Sequence, residues 1–193
     1  MLGLKLPTDP RWVNIVEKNI EEILTDHAYC EQKAASNAIS LLVSYPEHTD
    51  MVDTLLSIAK EELTHFEMVH QKIKERGYKL GRERKDEYVN DLYGFMRKGY
   101  TRNYVLVDRL LFAALIEARS CERFKLLSEE IADEDLRNFY KELMISEAGH
   151  YTTFIGFARK YGAGHDIDKR WKEWLDFEAG VIGKYGKKET MHG

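Results

Sequence analysis

Apolar residues recur every three to four positions along most of the chain, in stretches too long for strands, with proline, glycine or acidic residues between them; this predicts helices throughout. Asp9 and Pro10 make a capping residue followed by a proline at the first helical position, and Trp12, Ile15 and Val16 give a short helix over about 10–18 its apolar face. A longer helix is expected over about 20–45, capped by Asn19, with Leu24, Ala28, Ala35, Ala38, Leu42 and Tyr45 on one stripe until Pro46 ends it. The next runs over about 49–76, with Val52, Leu55, Ile58, Ala59, Phe66 and Val69 inward and Gly77 as its stop. Residues 78–102 lack a long period, although 86–97 suit a short helix. Two more long helices follow, over about 103–131 and 134–161, then one over about 168–185 and a frayed tail, GKKETMHG. The expectation is one all-α domain over 1–193: a four-helix bundle with a long crossover at 78–102 and additional N- and C-terminal helices.

Six ionisable residues interrupt the apolar stripes of the four long helices: Glu31, Glu62, His65, Glu117, Glu147 and His150. Glutamate and histidine three residues apart share one helix face, where both reach one cation. Four Glu-x-x-His pairs occur, against about one expected by chance from this composition. Glu67/His70 falls on the polar side of its helix and Glu189/His192 in the tail, so both read as solvated. The other two pairs lie on apolar stripes, and each follows a lone glutamate at nearly the same distance, Glu31 before Glu62 and Glu117 before Glu147. The midpoints of those intervals fall at the expected turns, Pro46–Glu47 and Ala132–Asp133, so antiparallel hairpins set the four carboxylates at one level. Glu122, nearer its turn, projects to a flank with Arg119. Gathered in an apolar interior, these groups carry heavy desolvation costs unless a positive centre offsets them, and no buried lysine or arginine is evident on the stripes. Four carboxylates with two imidazoles suit iron or manganese. The competing explanation is a bundle with buried ion pairs and no metal, an interaction module.

Composition narrows the picture. The 193 residues are 44% hydrophobic and 32% charged, with three prolines, as in a water-exposed helical protein. No apolar run reaches membrane-span length and the N-terminus has no signal-peptide pattern, so a cytoplasmic protein with no membrane partner is expected. Cys30 and Cys121 form no CxxC and read as reduced thiols, without a rubredoxin-type iron site. Charge is uneven: residues 1–70 carry 5 basic and 12 acidic side chains, whereas 71–102 carry 10 basic and 5 acidic.

The blocks DHAYCEQKAASNAISLLVSYPEH, AKEELTHFEMVHQKIKERG, LIEARSCERF and SEAGHYTTF resemble those of the bacterial tRNA hydroxylases of the ferritin-like superfamily, over about residues 8–160. The paired Glu-x-x-His is specific only to the superfamily; CEQKAA and IEARSCERF are more particular. The resemblance implies a ferritin-like fold and a non-haem di-iron monooxygenase that hydroxylates the isopentenyl group of a modified adenosine beside the tRNA anticodon. Glu31 and Glu117 would be terminal ligands, Glu62 and Glu147 bridging ones, and His65 and His150 one imidazole per iron. It also implies two irons, O2 as co-substrate and electrons from a separate reductase, since the chain has no flavin, nicotinamide or iron–sulfur motif. In this light the basic residues Arg76, Lys79, Arg82, Arg84, Lys85, Arg97, Lys98 and Arg102, interleaved with Tyr78, Tyr88, Tyr93 and Tyr100, become RNA-contact candidates. The alternative on the same scaffold is a rubrerythrin- or ferritin-type peroxidase or ferroxidase without an RNA substrate.

Overall fold

The computed structural model describes residues 2–185 and 190–191. Its regular elements are helices: α1 (Trp12–Lys18), α2 (Ile20–Ser44), α3 (Thr49–Glu75), α4 (Glu87–Gly94), α5 (Arg102–Glu130), α6 (Glu134–Tyr161) and α7 (Ile167–Tyr185). Among the described residues they group into two compact units, one of residues 18–85 with 190–191, the other of 2–17 with 86–185.

In the first unit, α2 and α3 form a helical hairpin. Asn19 holds the N-cap position of α2 without a side-chain capping bond, and Glu21 and Glu22 place negative charge in the first turn instead. Ile23, Leu24, Ala28, Ala35, Ala38 and Leu41 of α2 meet Met51, Leu55, Ile58, Ala59, Val69 and Ile73 of α3 as the buried stripe. The C-terminus of α3 closes with a Schellman motif: Gly77 takes φ +71°, its N–H donates to Lys74 O at 3.0 Å, and Tyr78 N–H donates to Ile73 O at 3.0 Å. Beyond it the chain is strapped to α2. Gly81 N–H donates to Thr25 Oγ1 at 3.3 Å, Tyr29 Oη–H donates to Gly81 O at 3.0 Å, and the Arg84 guanidinium reaches Glu22 O at 3.4 Å. A side chain at position 81 would crowd the Thr25 methyl, 3.2 Å from an added Cβ, so the close approach favours glycine. The tail departs from expectation where it is described: Met191 is fully buried and its N–H donates to Asp26 Oδ2 at 2.6 Å, a long-range tie that overrides the polar character of the segment. The Glu189/His192 pair lies outside the described residues.

In the second unit, residues 131–133 turn α5 back into α6. Asp133 caps α6 through its side chain, which accepts Leu136 N–H at 3.0 Å, and the Arg137 guanidinium donates to Ile131 O at 2.8 Å. Phe124 and Tyr140 pack with ring centroids 5.4 Å apart across the hairpin. α7 adds Trp174, fully buried, which meets Phe112 of α5 at 6.1 Å and Phe95 at 4.9 Å, while Tyr151 of α6 lies 6.0 Å from Trp171. α5 is therefore enclosed on several sides and has little polar face.

That enclosure corrects one expectation, because α5 carries two fully buried arginines, Arg119 and Arg123. Both are committed. Arg119 donates to Glu178 Oε1 of α7 at 2.6 and 3.0 Å, to Glu122 Oε2 at 2.9 Å and to Leu6 O at 3.0 Å. Glu178 also accepts the Tyr88 hydroxyl at 3.0 Å, and Glu122 accepts the backbone N–H and hydroxyl of Thr8 at 2.9 and 2.6 Å. Arg123 lies over the Trp12 ring at 4.4 Å and its Nε is 3.4 Å from Thr8 Oγ1. Several hydrogen bonds per ion offset the desolvation of these charges.

Candidate metal-binding triads

Glu62 and His65 sit one turn apart on the inward face of α3, and Glu31 faces them from α2. One ligand atom from each lies within 4.8 Å of the others, and all three residues are buried. His65 Nδ1 is 3.1 Å from Glu62 Oε2 and 3.8 Å from Glu31 Oε2. Burial opposes a charge on His65, yet its hydrogen bonds to Glu31 and Glu62 outweigh that and lift its pKa to about 10. Burial likewise opposes a charge on Glu31, but hydrogen bonds from His27 and His65 hold its carboxyl well below the usual range. Carboxylates that stay ionised and stabilise a positive charge on the neighbouring imidazole in this way also attract a metal cation placed among them.

The second unit repeats the arrangement. Glu147 and His150 are one turn apart on α6, Glu117 faces them from α5, and again one ligand atom from each lies within 4.8 Å of the others. Their exposures are 2%, 5% and 4%. The Cys121 thiol, one turn beyond Glu117, donates to Met144 O at 3.4 Å; burial and then the charge of Glu147 raise its pKa to about 11, so it stays a thiol. Arg119 and Arg123, the buried cations of α5, are engaged with Glu178, Glu122, Thr8 and Trp12.

Each triad thus offers two carboxylates and one imidazole from paired long helices. That donor set fits iron or manganese, and three protein ligands leave coordination positions open. In contrast Glu67 is exposed, and His70 stacks beside Phe66 at 6.3 Å.

The RNA-contact candidates fall in both units. Lys79, Arg82, Lys85, Lys98 and Arg102 are exposed, whereas Arg76, Arg84 and Arg97 are half-buried. Arg84 pairs with Glu22 at 3.4 Å, and Arg97 lies 5.2 and 5.6 Å from the Tyr104 and Tyr100 rings. Tyr93 and Tyr100 are more than half exposed, but Tyr88 is buried against Glu178 and has no face for a base.

The sequence model of the family described as tRNA-(MS[2]IO[6]A)-hydroxylase (MiaE) matches residues 2–193. The chain belongs to this family. A curated relative from Pseudomonas putida, named tRNA 2-(methylsulfanyl)-N(6)-isopentenyladenosine(37) hydroxylase, is 40% identical over 85% of this chain and 78% of its own. A relative of the same name from Salmonella typhimurium is 28% identical over 93% of this chain and 83% of its own. Among solved structures, a Synechococcus protein described as having aldehyde deformylating oxygenase activity superposes with a TM-score of 0.91 at 34% identity, covering 98% of this chain and 95% of that one. The fold class of this hydroxylase-family chain is all-helical and ferritin-like, as its hydropathy pattern and block resemblance imply.

One polar residue beside the ligands was not singled out from sequence. His27 is fully buried on α2, one turn before Glu31, and its Nε2 lies 2.5 Å from Glu31 Oε1. The signal that points to it is the i, i+4 spacing from a buried carboxylate.

Proposed function

We propose that this chain is an oxygen-dependent di-iron monooxygenase that hydroxylates the isopentenyl group of a modified adenosine in tRNA. The observation that carries the reading is the repeated buried triad, one lone glutamate and one Glu-x-x-His in each helical hairpin, in a chain whose family match runs over residues 2–193. The two triads would serve one pair of irons within a single di-iron domain, since the hairpin register derived from the sequence sets the four carboxylates at one level. Glu31, Glu62 and His65 from one hairpin and Glu117, Glu147 and His150 from the other would hold the irons, four carboxylates and two imidazoles in all. When bound, the irons would supply dioxygen activation and the redox capacity that the side chains lack. The reaction converts a C–H bond, O2, two electrons and two protons into C–OH and water, so an external reductase is part of the proposal. The protein's share is to hold four charged ligands out of bulk water, with no more than 4% of any carboxylate residue exposed.

None of the described helices is long and apolar enough to cross a membrane, and a tRNA substrate places the enzyme in the cytoplasm. Incubating the iron-loaded protein with isopentenylated tRNA, a reductant and oxygen should add one oxygen atom to the modified adenosine, read by mass analysis of the nucleosides. No gain with a competent substrate overturns the reading. The structural neighbour supports a second one: an aldehyde offered in parallel would lose its formyl carbon if the chain shared that protein's activity. The rubrerythrin- or ferritin-type alternative gains no support from the relatives.

We assign the RNA contacts to the basic segment. The side chains of Lys79, Arg82 and Lys85 in one unit and of Lys98 and Arg102 in the other are exposed, with exposed Tyr93 and Tyr100 available for stacking. Charge reversal at Arg82, Arg84 and Lys85 should weaken tRNA binding about tenfold or more and lower the salt slope by about one per lost phosphate contact. Iron content should not change. Because Arg84 also anchors the strap, a variant reversed only at Arg82 and Lys85 separates charge from structure, and unchanged binding at low salt removes the assignment.

A further inference from the structure

The two oxygens of the Glu31 carboxylate are not equivalent. Oε1 lies 2.5 Å from His27 Nε2, whereas Oε2 is the oxygen 3.8 Å from His65 Nδ1. His27 is completely buried, and helical spacing sets its ring directly against Glu31 one turn later. An ionised carboxylate has no proton to offer, so the hydrogen in this contact belongs to Nε2 and the imidazole is the donor. From this asymmetry we infer that His27 is a positioning residue, which engages one oxygen of Glu31 and turns the other toward the triad as the metal ligand. The inference rests on the di-iron reading and adds to it a residue outside the ligand set.

The arrangement has two consequences. A carboxylate anchored through Oε1 offers a single oxygen to iron, which keeps a coordination position open beside it. It also limits the rotamers of a side chain that would otherwise have to be ordered at the moment of binding, and groups that orient a ligand in this way typically contribute about 10–100-fold to metal affinity.

The test exploits two amides that divide the imidazole between them. In His27→Gln the amide nitrogen can occupy the place of Nε2 and donate to Glu31; in His27→Asn the nitrogen corresponds to Nδ1 and falls short. Both are polar and of similar size, so loss of packing affects them alike. Full-length wild type, H27Q and H27N are loaded with ferrous iron, challenged with a chelator, and compared by retained iron and by Mössbauer spectrum, with thermal melting of the metal-free proteins as a check on folding. The expected result is iron affinity about 10–100-fold lower in H27N, with the spectrum altered for one of two iron sites, and both properties close to wild type in H27Q. Equal retention and equal spectra in H27N and H27Q overturn the positioning role, whether both resemble wild type or both are impaired. Wild type that holds no iron under the same loading overturns the di-iron reading itself, and the inference with it. No outcome depends on turnover of tRNA, so failure to hydroxylate leaves the metal measurements able to decide the role of His27.

Discussion

Glu147→Ala should cost more than about 100-fold in iron affinity, since changes one shell further out already cost about 10–100-fold, and hydroxylation of tRNA should fall with it. The metal-free protein should meanwhile melt no lower than wild type. Glu147 is buried with Glu117 and His150 within 4.8 Å, so in the absence of a cation its charge is a burden of desolvation and repulsion. Removing it subtracts a ligand from the metal-bound state and a cost from the metal-free one, and the two effects have opposite signs. Glu67→Ala is the matched control, because that residue has the same three-residue spacing to a histidine but lies exposed. It should leave iron content unchanged. Elemental analysis after gel filtration, melting curves of the metal-free proteins and mass analysis of tRNA nucleosides check these outcomes; iron retention by E147A at the wild-type level would exclude Glu147 as a ligand.

Arg119→Ala should be among the most destabilising substitutions in the chain. Arg119 and Glu178 are both fully buried, and the guanidinium satisfies Glu178, Glu122 and the carbonyl of Leu6 at once. Truncating it leaves Glu178 as an uncompensated interior charge that still accepts the Tyr88 hydroxyl. Breaking a buried pair from one side costs about 3–5 kcal/mol. For a chain of this size each kcal/mol lowers the melting temperature by about 2–4 °C, giving a fall of roughly 6–20 °C. The loss should persist at high salt, since mobile ions do not screen a pair closed off from solvent. A decrease below about 2 °C, or one that vanishes in concentrated salt, would place the network at the surface rather than in the core.

These two cases show what a hydropathy pattern can reveal. The ligand candidates were legible because each breaks an apolar period: a glutamate at position 31, 62, 117 or 147 is conspicuous amid alanines, leucines and phenylalanines, and all four are buried. Helix lengths followed from the same period, with Pro46, Gly77 and Asp133 marking ends that the backbone uses. Arg119 and Arg123 escaped because α5 is enclosed by α6 on one side and by Phe95, Trp174 and the N-terminal segment on others, so its polar positions do not define an outer face. Their partners Glu178 and Thr8 are more than fifty residues away in sequence, and no local pattern announces them. His27 reads as an ordinary core histidine until Glu31 is placed one turn later. The strap of residues 79–84 along α2 rests on backbone and side-chain hydrogen bonds, which leave no trace in hydrophobicity. Met191 belongs to the same class, held by a contact to Asp26 that spans most of the chain.

The short turn at residues 131–133 has a consequence for how such a protein can change in length. Deleting or inserting one residue there would rotate α6 by about 100° and slide it about 1.5 Å relative to α5, carrying Glu147 and His150 off the face shared with Glu117. A substitution in this turn alters a cap; an indel misaligns every ligand that follows it. The turn is therefore a ruler, and the spacing it sets between two helices is as much a component of the metal-binding machinery as the carboxylates themselves.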